Sequence, residues 1–212
     1  MTSKLIILDI EASGLSERAP KSYPVEFGWS DLDLNVESFL IRPTKGWLKK
    51  GEWSPNAEGI HGISQQQLLD EGISVVEAAE RVNAAFEGCR VLRDGMQYDP
   101  FWYGRLFEAA GIRPVVDTFS LDNALRKRVA DTGASALVIE TGPEAQYERR
   151  LKRVNDAIRE VFTYDHRAGN DAEYLAARFR CMIDESFLVQ VEARARANAV
   201  EIEPEVVGGM KP

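Results

Sequence analysis

The stretch Leu5-Ile6-Ile7-Leu8-Asp9-Ile10-Glu11 constrains this chain more than any other. Four consecutive apolar residues are followed by an acid–apolar–acid alternation. That pattern predicts a buried strand over Lys4 to Ile10 that turns Asp9 and Glu11 to one face at its end. Two like charges placed side by side at the end of a buried strand are costly unless a cation neutralises them. Hard oxygen ligands of this kind suit magnesium or manganese. A carboxylate pair on a strand can bridge two divalent ions about 3.5–4 Å apart, the spacing used for in-line phosphoryl displacement. The same Asp-x-Glu pair on an exposed strand is merely solvated. Here it precedes Ala12-Ser13-Gly14-Leu15, where Gly14 permits a tight turn and close approach of a ligand to the backbone.

The chain around this strand reads as a mixed α/β protein. Tyr23 to Leu32 alternates Val25, Phe27 and Trp29, and Val36 to Arg42 stops at Pro43. Closely spaced strands of this kind predict a meander of hairpins. Pro43 to Gly62 reads as a loop. Ser64 and Ser74 are placed to cap helices over Gln65 to Glu71 and Val75 to Phe86. Short strands are predicted over Arg90 to Arg93 and Val115 to Thr118. Helices are predicted over Pro100 to Ala110, Ser120 to Val129, Glu144 to Phe162 and Asp171 to Val191, with Ala130 to Pro143 irregular. The expected architecture is a mixed β-sheet flanked by α-helices. With 212 residues the chain suits one domain over 1–200, and the acidic tail over 201–212, ending in GGMKP, is expected to be flexible.

Two further segments carry chemistry. Asp99 precedes Pro100, a residue favoured in the first turn of a helix, so Asp99 reads either as an N-cap or as a metal ligand. Asp94, five residues earlier, is a rival for the second role. In His166-Arg167-Ala168-Gly169-Asn170-Asp171, an imidazole and a carboxylate stand five apart at a loop-to-helix junction. A histidine there can take a proton from an attacking water; the plainer reading is a surface histidine beside a helix cap. The chain has two histidines, His61 and His166, so any imidazole chemistry uses one of them.

The net charge is −8, which argues against a broad duplex-coating surface but not against a small nucleic-acid site where bound cations reverse the local sign. Cys89 and Cys181 form no Cys-x-x-Cys pair, so zinc-ribbon and disulfide frameworks are not expected. No apolar stretch has membrane-spanning length, and the N-terminus runs straight into the first strand without a signal-peptide pattern. The expectation is a cytoplasmic protein with no membrane partner.

In combination these segments resemble the DEDDh (DnaQ-like) 3′–5′ exonucleases of the ribonuclease-H-like superfamily. DIEASGL resembles the first motif of that family, QYDPFW the second and HRAGNDA the third. Ile60-His61-Gly62-Ile63-Ser64 and Val25-Glu26-Phe27-Gly28 resemble further family segments, and the match covers roughly 4–180. The chain departs from the family in having Ala12-Ser13 before Gly14-Leu15, and Gly95 where an asparagine is common. The resemblance implies a ribonuclease-H-like fold, two Mg2+ or Mn2+ ions, and removal of nucleotides from the 3′ end of single-stranded DNA or RNA. Asp9, Glu11, Asp99 and Asp171 would hold the metals, and His166 would activate water. By the same analogy Leu15 and His61 would lie near the terminal base, the plainer readings being a core leucine and a histidine that hydrogen-bonds its own loop, with Ala12 and Gly14 in the substrate-binding turn.

Tyr98, with Trp47, Trp53, Phe101 and Trp102, is placed either to stack on unpaired bases or to fill core. Arg149, Arg150, Lys152 and Arg153 form a basic run that reads either as a solvated face or as a phosphate track. Relatives of this kind include monomers, homodimers and subunits bound to polymerases. The competing function is a non-catalytic module that keeps the fold to bind nucleic acid or a polymerase-type partner. A third reading is an enzyme trimming dinucleotides or 3′ overhangs.

Overall fold

A computed structural model describes residues 3–14, 21–94, 98–132 and 143–201. Five strands form one sheet: β1 (Leu5–Ala12), β2 (Pro24–Asp31), β3 (Val36–Leu40), β4 (Arg90–Arg93) and β5 (Thr118–Ser120), in the order β3-β2-β1-β4-β5. The first three make the antiparallel meander expected from the sequence. β4 and β5 add in parallel beyond β1. This places the carboxyl ends of β1 and β4 side by side at the centre of the sheet.

The described residues hold nine helices: α1 (Lys45–Lys50), α2 (Pro55–His61), α3 (Gln65–Glu71), α4 (Val75–Phe86), α5 (Tyr98–Ala110), α6 (Leu121–Thr132), α7 (Pro143–Ile158), α8 (Ala168–Ile183) and α9 (Glu185–Glu201). Alternation along β1 divides the core into two layers. Ile6, Leu8, Ile10 and Ala12 pack with residues of α4 and α5, among them Val82, Phe86, Trp102 and Leu106. Ile7 turns to the opposite layer, among Leu121, Val154, Leu175 and Phe179 of α6, α7 and α8. Asp9 and Glu11 continue the phase of Ile7.

Three expectations are corrected. The predicted loop over Pro43 to Gly62 contains α1 and α2. Thr44 and Ser54 cap them by accepting the N–H groups of Trp47 and Ala57, and Pro55 opens α2. Ser64 and Ser74 cap α3 and α4 as expected. The single helix predicted over Asp171 to Val191 is two helices broken at Asp184, whose extended backbone ends α8. Its carboxylate accepts the Phe187 N–H and the Ser186 hydroxyl, so it opens the next helix as its cap. The last short strand lies at Thr118–Ser120 rather than at Val115 to Thr118.

Both cysteines are free, Cys181 buried and Cys89 partly so. No helix among the described residues is long and apolar enough to cross a membrane. The acidic tail over 202–212, Leu15 and most of the segment Ala130 to Pro143 lie outside the described residues.

Candidate active site

A cleft of about 240 Å³ opens at the carboxyl end of β1. Its lining includes Asp9, Glu11, Ala12 and Gly14 from β1 and its turn, His61 from α2, and Tyr98, Asp99 and Trp102 from α5. Tyr164, His166 and Asp171 close it from the α8 side. Asp9, Glu11, Asp99, His166 and Asp171, with Ala12, Gly14, His61 and Tyr98, all line this one cleft, and Leu15 lies outside the described residues. Asp94 does not line it, although its charge reaches Asp9.

Asp99 stands inside the first turn of α5 rather than at its cap position, and it is buried. Asp171 lies in the first turn of α8 and is 1% exposed. Ligand atoms of Glu11, His166 and Asp171 all fall within 4.8 Å of one another. An imidazole from a loop, a carboxylate from a strand and a carboxylate from a helix thus share one small volume.

The electrostatics are those of acids crowded together. Burial raises the pKa of Asp9 well above the usual carboxylate range, and the charges of Asp99, Glu11 and Asp171 add to the shift. Burial, then the charge of Asp171, pushes Glu11 up to about 8. Burial raises Asp171 to about 6, opposed by the Asp165 N–H and by His166. Carboxylates this reluctant to ionise are the donor set a divalent cation would relieve, and four acids with one imidazole fit magnesium or manganese.

A second set of contacts, which sequence reasoning missed, holds the His166 loop. Glu26 on β2 is 2% exposed. It accepts Arg167 Nε and Nη2 at 3.0 and 2.8 Å and the Ala168 N–H at 3.0 Å. On the other flank, Asp171 Oδ1 accepts the Asp165 N–H at 3.0 Å. Between these anchors His166 takes a φ of 60°, in the left-handed region that few side chains other than glycine favour. The available signal was the charge at position 26 between Val25 and Phe27 of a strand, since a buried carboxylate requires a partner.

His61 is buried, and its Nδ1 accepts the Ile63 N–H at 3.0 Å. That bond leaves Nε2 as the protonated nitrogen of the neutral ring. Burial lowers its pKa and keeps it neutral. Its ring therefore steadies its own loop and also forms cleft wall. Trp47 stacks on Tyr23 with ring centroids 5.2 Å apart and Trp102 donates to Ser22, so both serve the core. In the basic run, Arg150 and Arg153 pair with Glu185, and Arg153 also with Glu192, tying α7 to α9.

No protein-family model matches the sequence. No curated protein matches it either. Solved structures do match. E. coli exonuclease I in complex with a dA13 oligonucleotide superposes with a TM-score of 0.55 at 18% identity, over 89% of this chain and 42% of that one. Exonuclease I from Methylocaldum szegediense gives 0.57 at 17% identity, over 95% of this chain and 46% of that one. An E. coli exonuclease I complex with a dA16 oligonucleotide gives 0.58 at 16%, with 95% and 46% coverage. The fold is ribonuclease-H-like. The chain spans less than half the length of the solved proteins it matches.

Proposed function

We propose that this protein is a metal-dependent 3′–5′ exonuclease acting on single-stranded nucleic acid. The observation that carries the reading is the meeting of Glu11, His166 and Asp171 within 4.8 Å, in a cleft that Asp9 and Asp99 also line. A binding module has no use for a full set of strained acids beside an exposed imidazole. The likeness to exonuclease I, a protein solved with oligonucleotides, supports the same reading.

In this reading Asp9, Glu11, Asp99 and Asp171 hold two magnesium or manganese ions. The ions supply Lewis-acid stabilisation of charge on the phosphate and the leaving oxygen. His166 takes a proton from the attacking water, and its exposed position lets it hand that proton to solvent. The Glu26–Arg167 pair fixes the loop that aims the imidazole. The cleft walls, Ala12, Gly14, His61 and Tyr98, orient the terminal nucleotide.

The direct test is a 5′-labelled single strand incubated with magnesium or manganese, and separately with a chelator. A ladder shortening from the 3′ end, present only with metal, is expected. An intact strand under every metal condition, with binding retained, would instead establish the non-catalytic module.

Replacing His166 with Ala separates its role from that of the acids. Turnover should fall about 10²–10⁴-fold, the usual contribution of a general base. Metal affinity measured by calorimetry should change little. Loss of metal binding in that variant would make His166 a ligand.

A further inference from the structure

Beside the acidic cleft lies a second concavity, of about 620 Å³, whose charge is opposite. Lys21, Lys49, Lys50 and Arg105 line it, with Gly46, Trp47 and Gly51. No acidic residue is among the described residues of its lining. On a chain of net charge −8, four cations around one hollow form a local reversal of sign. The three lysines are exposed.

One face of α5 joins the two hollows. Tyr98, Trp102 and Arg105 stand at i, i+4 and i+7, which share a face of a helix. Tyr98 and Trp102 line the acidic cleft and Arg105 lines the basic hollow. The other wall is tied in as well. Trp102 Nε1 donates to Ser22 Oγ at 2.9 Å, next to Lys21. Lys21 is itself held by main-chain bonds, donating to Glu52 Oε2 and accepting the Glu52 N–H. Lys49 and Lys50 end α1, where cations also suit the helix dipole, but that helix has only six residues and its dipole effect is small.

From Asp99 to Arg105 is six residues of helix, about 9 Å. At about 3.4 Å per stacked nucleotide that distance is about three nucleotides. We infer that this hollow is the phosphate-holding tract for the strand 5′ of the reacting nucleotide, beginning about three nucleotides from it. The inference rests on the exonuclease reading and deepens it. The substrate is a strand of several nucleotides rather than a dinucleotide, and Lys21, Lys49, Lys50 and Arg105 contact its phosphates as point charges without reading bases.

The test measures binding of 5′-labelled DNA and RNA oligonucleotides of 2 to about 12 nucleotides, in chelator, across salt. The full chain is compared with Lys21→Ala/Lys49→Ala/Lys50→Ala and with a control, Arg149→Ala/Lys152→Ala. For the wild type, affinity should climb with length beyond about three nucleotides. The triple variant should lose most of that climb. Its log–log salt slope on the longest strand should fall by about 2, as expected for three lost single-strand phosphate contacts. The control should keep the wild-type slope.

A wild type whose affinity ignores length, or a triple variant that keeps the full slope, overturns the inference. If such a protein still shortens a strand from its 3′ end with magnesium, the exonuclease reading survives alone. A wild type that neither binds nor cleaves single strands removes both.

Discussion

Replacing Asp9 with Asn is expected to abolish strand cleavage and, in the absence of metal, to make the protein more stable. The two effects have one origin. Asp9 is held among Glu11, Asp99 and Asp171, and burial and their charges raise its pKa well above the usual carboxylate range. An amide of the same shape carries no charge to desolvate and repels no neighbour. It also offers a metal a weaker ligand. A metal's stabilisation of transition-state charge amounts to several kcal/mol, so the loss in turnover should be at least about 10³-fold.

The gain in metal-free stability should be on the order of 1 kcal/mol, or about 2–4 °C in Tm for a chain of this size. Its sign depends on pH in a defined way. A carboxylate whose pKa is raised on folding favours the folded state at low pH. It loses that contribution as pH rises from its unfolded value through its folded one. With Asp171 at about 6 and Glu11 at about 8, the metal-free wild type should weaken between about pH 4 and 8. The Tm of Asp9→Asn should exceed that of wild type by a margin that widens as pH rises from the unfolded pKa of Asp9 through its raised folded one. Adding magnesium or manganese should stabilise the wild type by mass action, by about 2.7 kcal/mol at a hundredfold excess over Kd, and so raise its Tm, and should do little for the variant. Scanning calorimetry at two pH values, with and without metal, reads all of this. A variant that melts below wild type in chelator at pH 8 would mean that Asp9 stabilises the fold by ordinary hydrogen bonding, and the site would not be a strained acid cluster.

What the sequence made legible follows from where the determinants lie. Asp9 and Glu11 were readable because strand alternation is local: the phase that sends Ile7 to one layer sends them with it. The strands β1 to β3 and the caps at Ser64 and Ser74 were readable for the same reason. Helices α1 and α2 were not, although Thr44 and Ser54-Pro55 carry the same capping chemistry. Each contains a glycine that dilutes the helical period, and the stability of such short helices comes from packing, as when Trp47 settles on Tyr23. The break at Asp184 was hidden because apolar spacing continues across it, and only the cap bonds to Ser186 and Phe187 mark it. The Glu26–Arg167 pair spans 141 positions, and no local pattern encodes a contact at that range.

Gly28 is the other position where a single substitution should have a large effect. It lies opposite Asp9 in the β1–β2 register. A Cβ built there would stand 2.2 Å from the Ala168 carbonyl carbon, 2.3 Å from Gly169 N and 2.4 Å from the Ala168 oxygen. These are backbone atoms of the first turn of α8, so no side-chain rotation relieves the collision and the helix must move. Overpacking of this kind costs about 1–3 kcal/mol, and a clash with main chain belongs at the upper end. The same turn carries Asp171 and follows His166, so the displacement reaches the site. A shift of about 1 Å in such groups costs about 10²-fold in rate. Gly28→Ala should therefore lose both stability and turnover while keeping every proposed catalytic side chain. Gly104 provides the contrast. It lies in α5 with nothing within 4 Å of its added Cβ, and Gly104→Ala should stabilise by about 0.5–1 kcal/mol. Denaturant melts of the two variants with parallel cleavage assays would decide the matter. If Gly28→Ala melts and cleaves like wild type, close seating of α8 on β2 is not what brings Asp171 to Asp9.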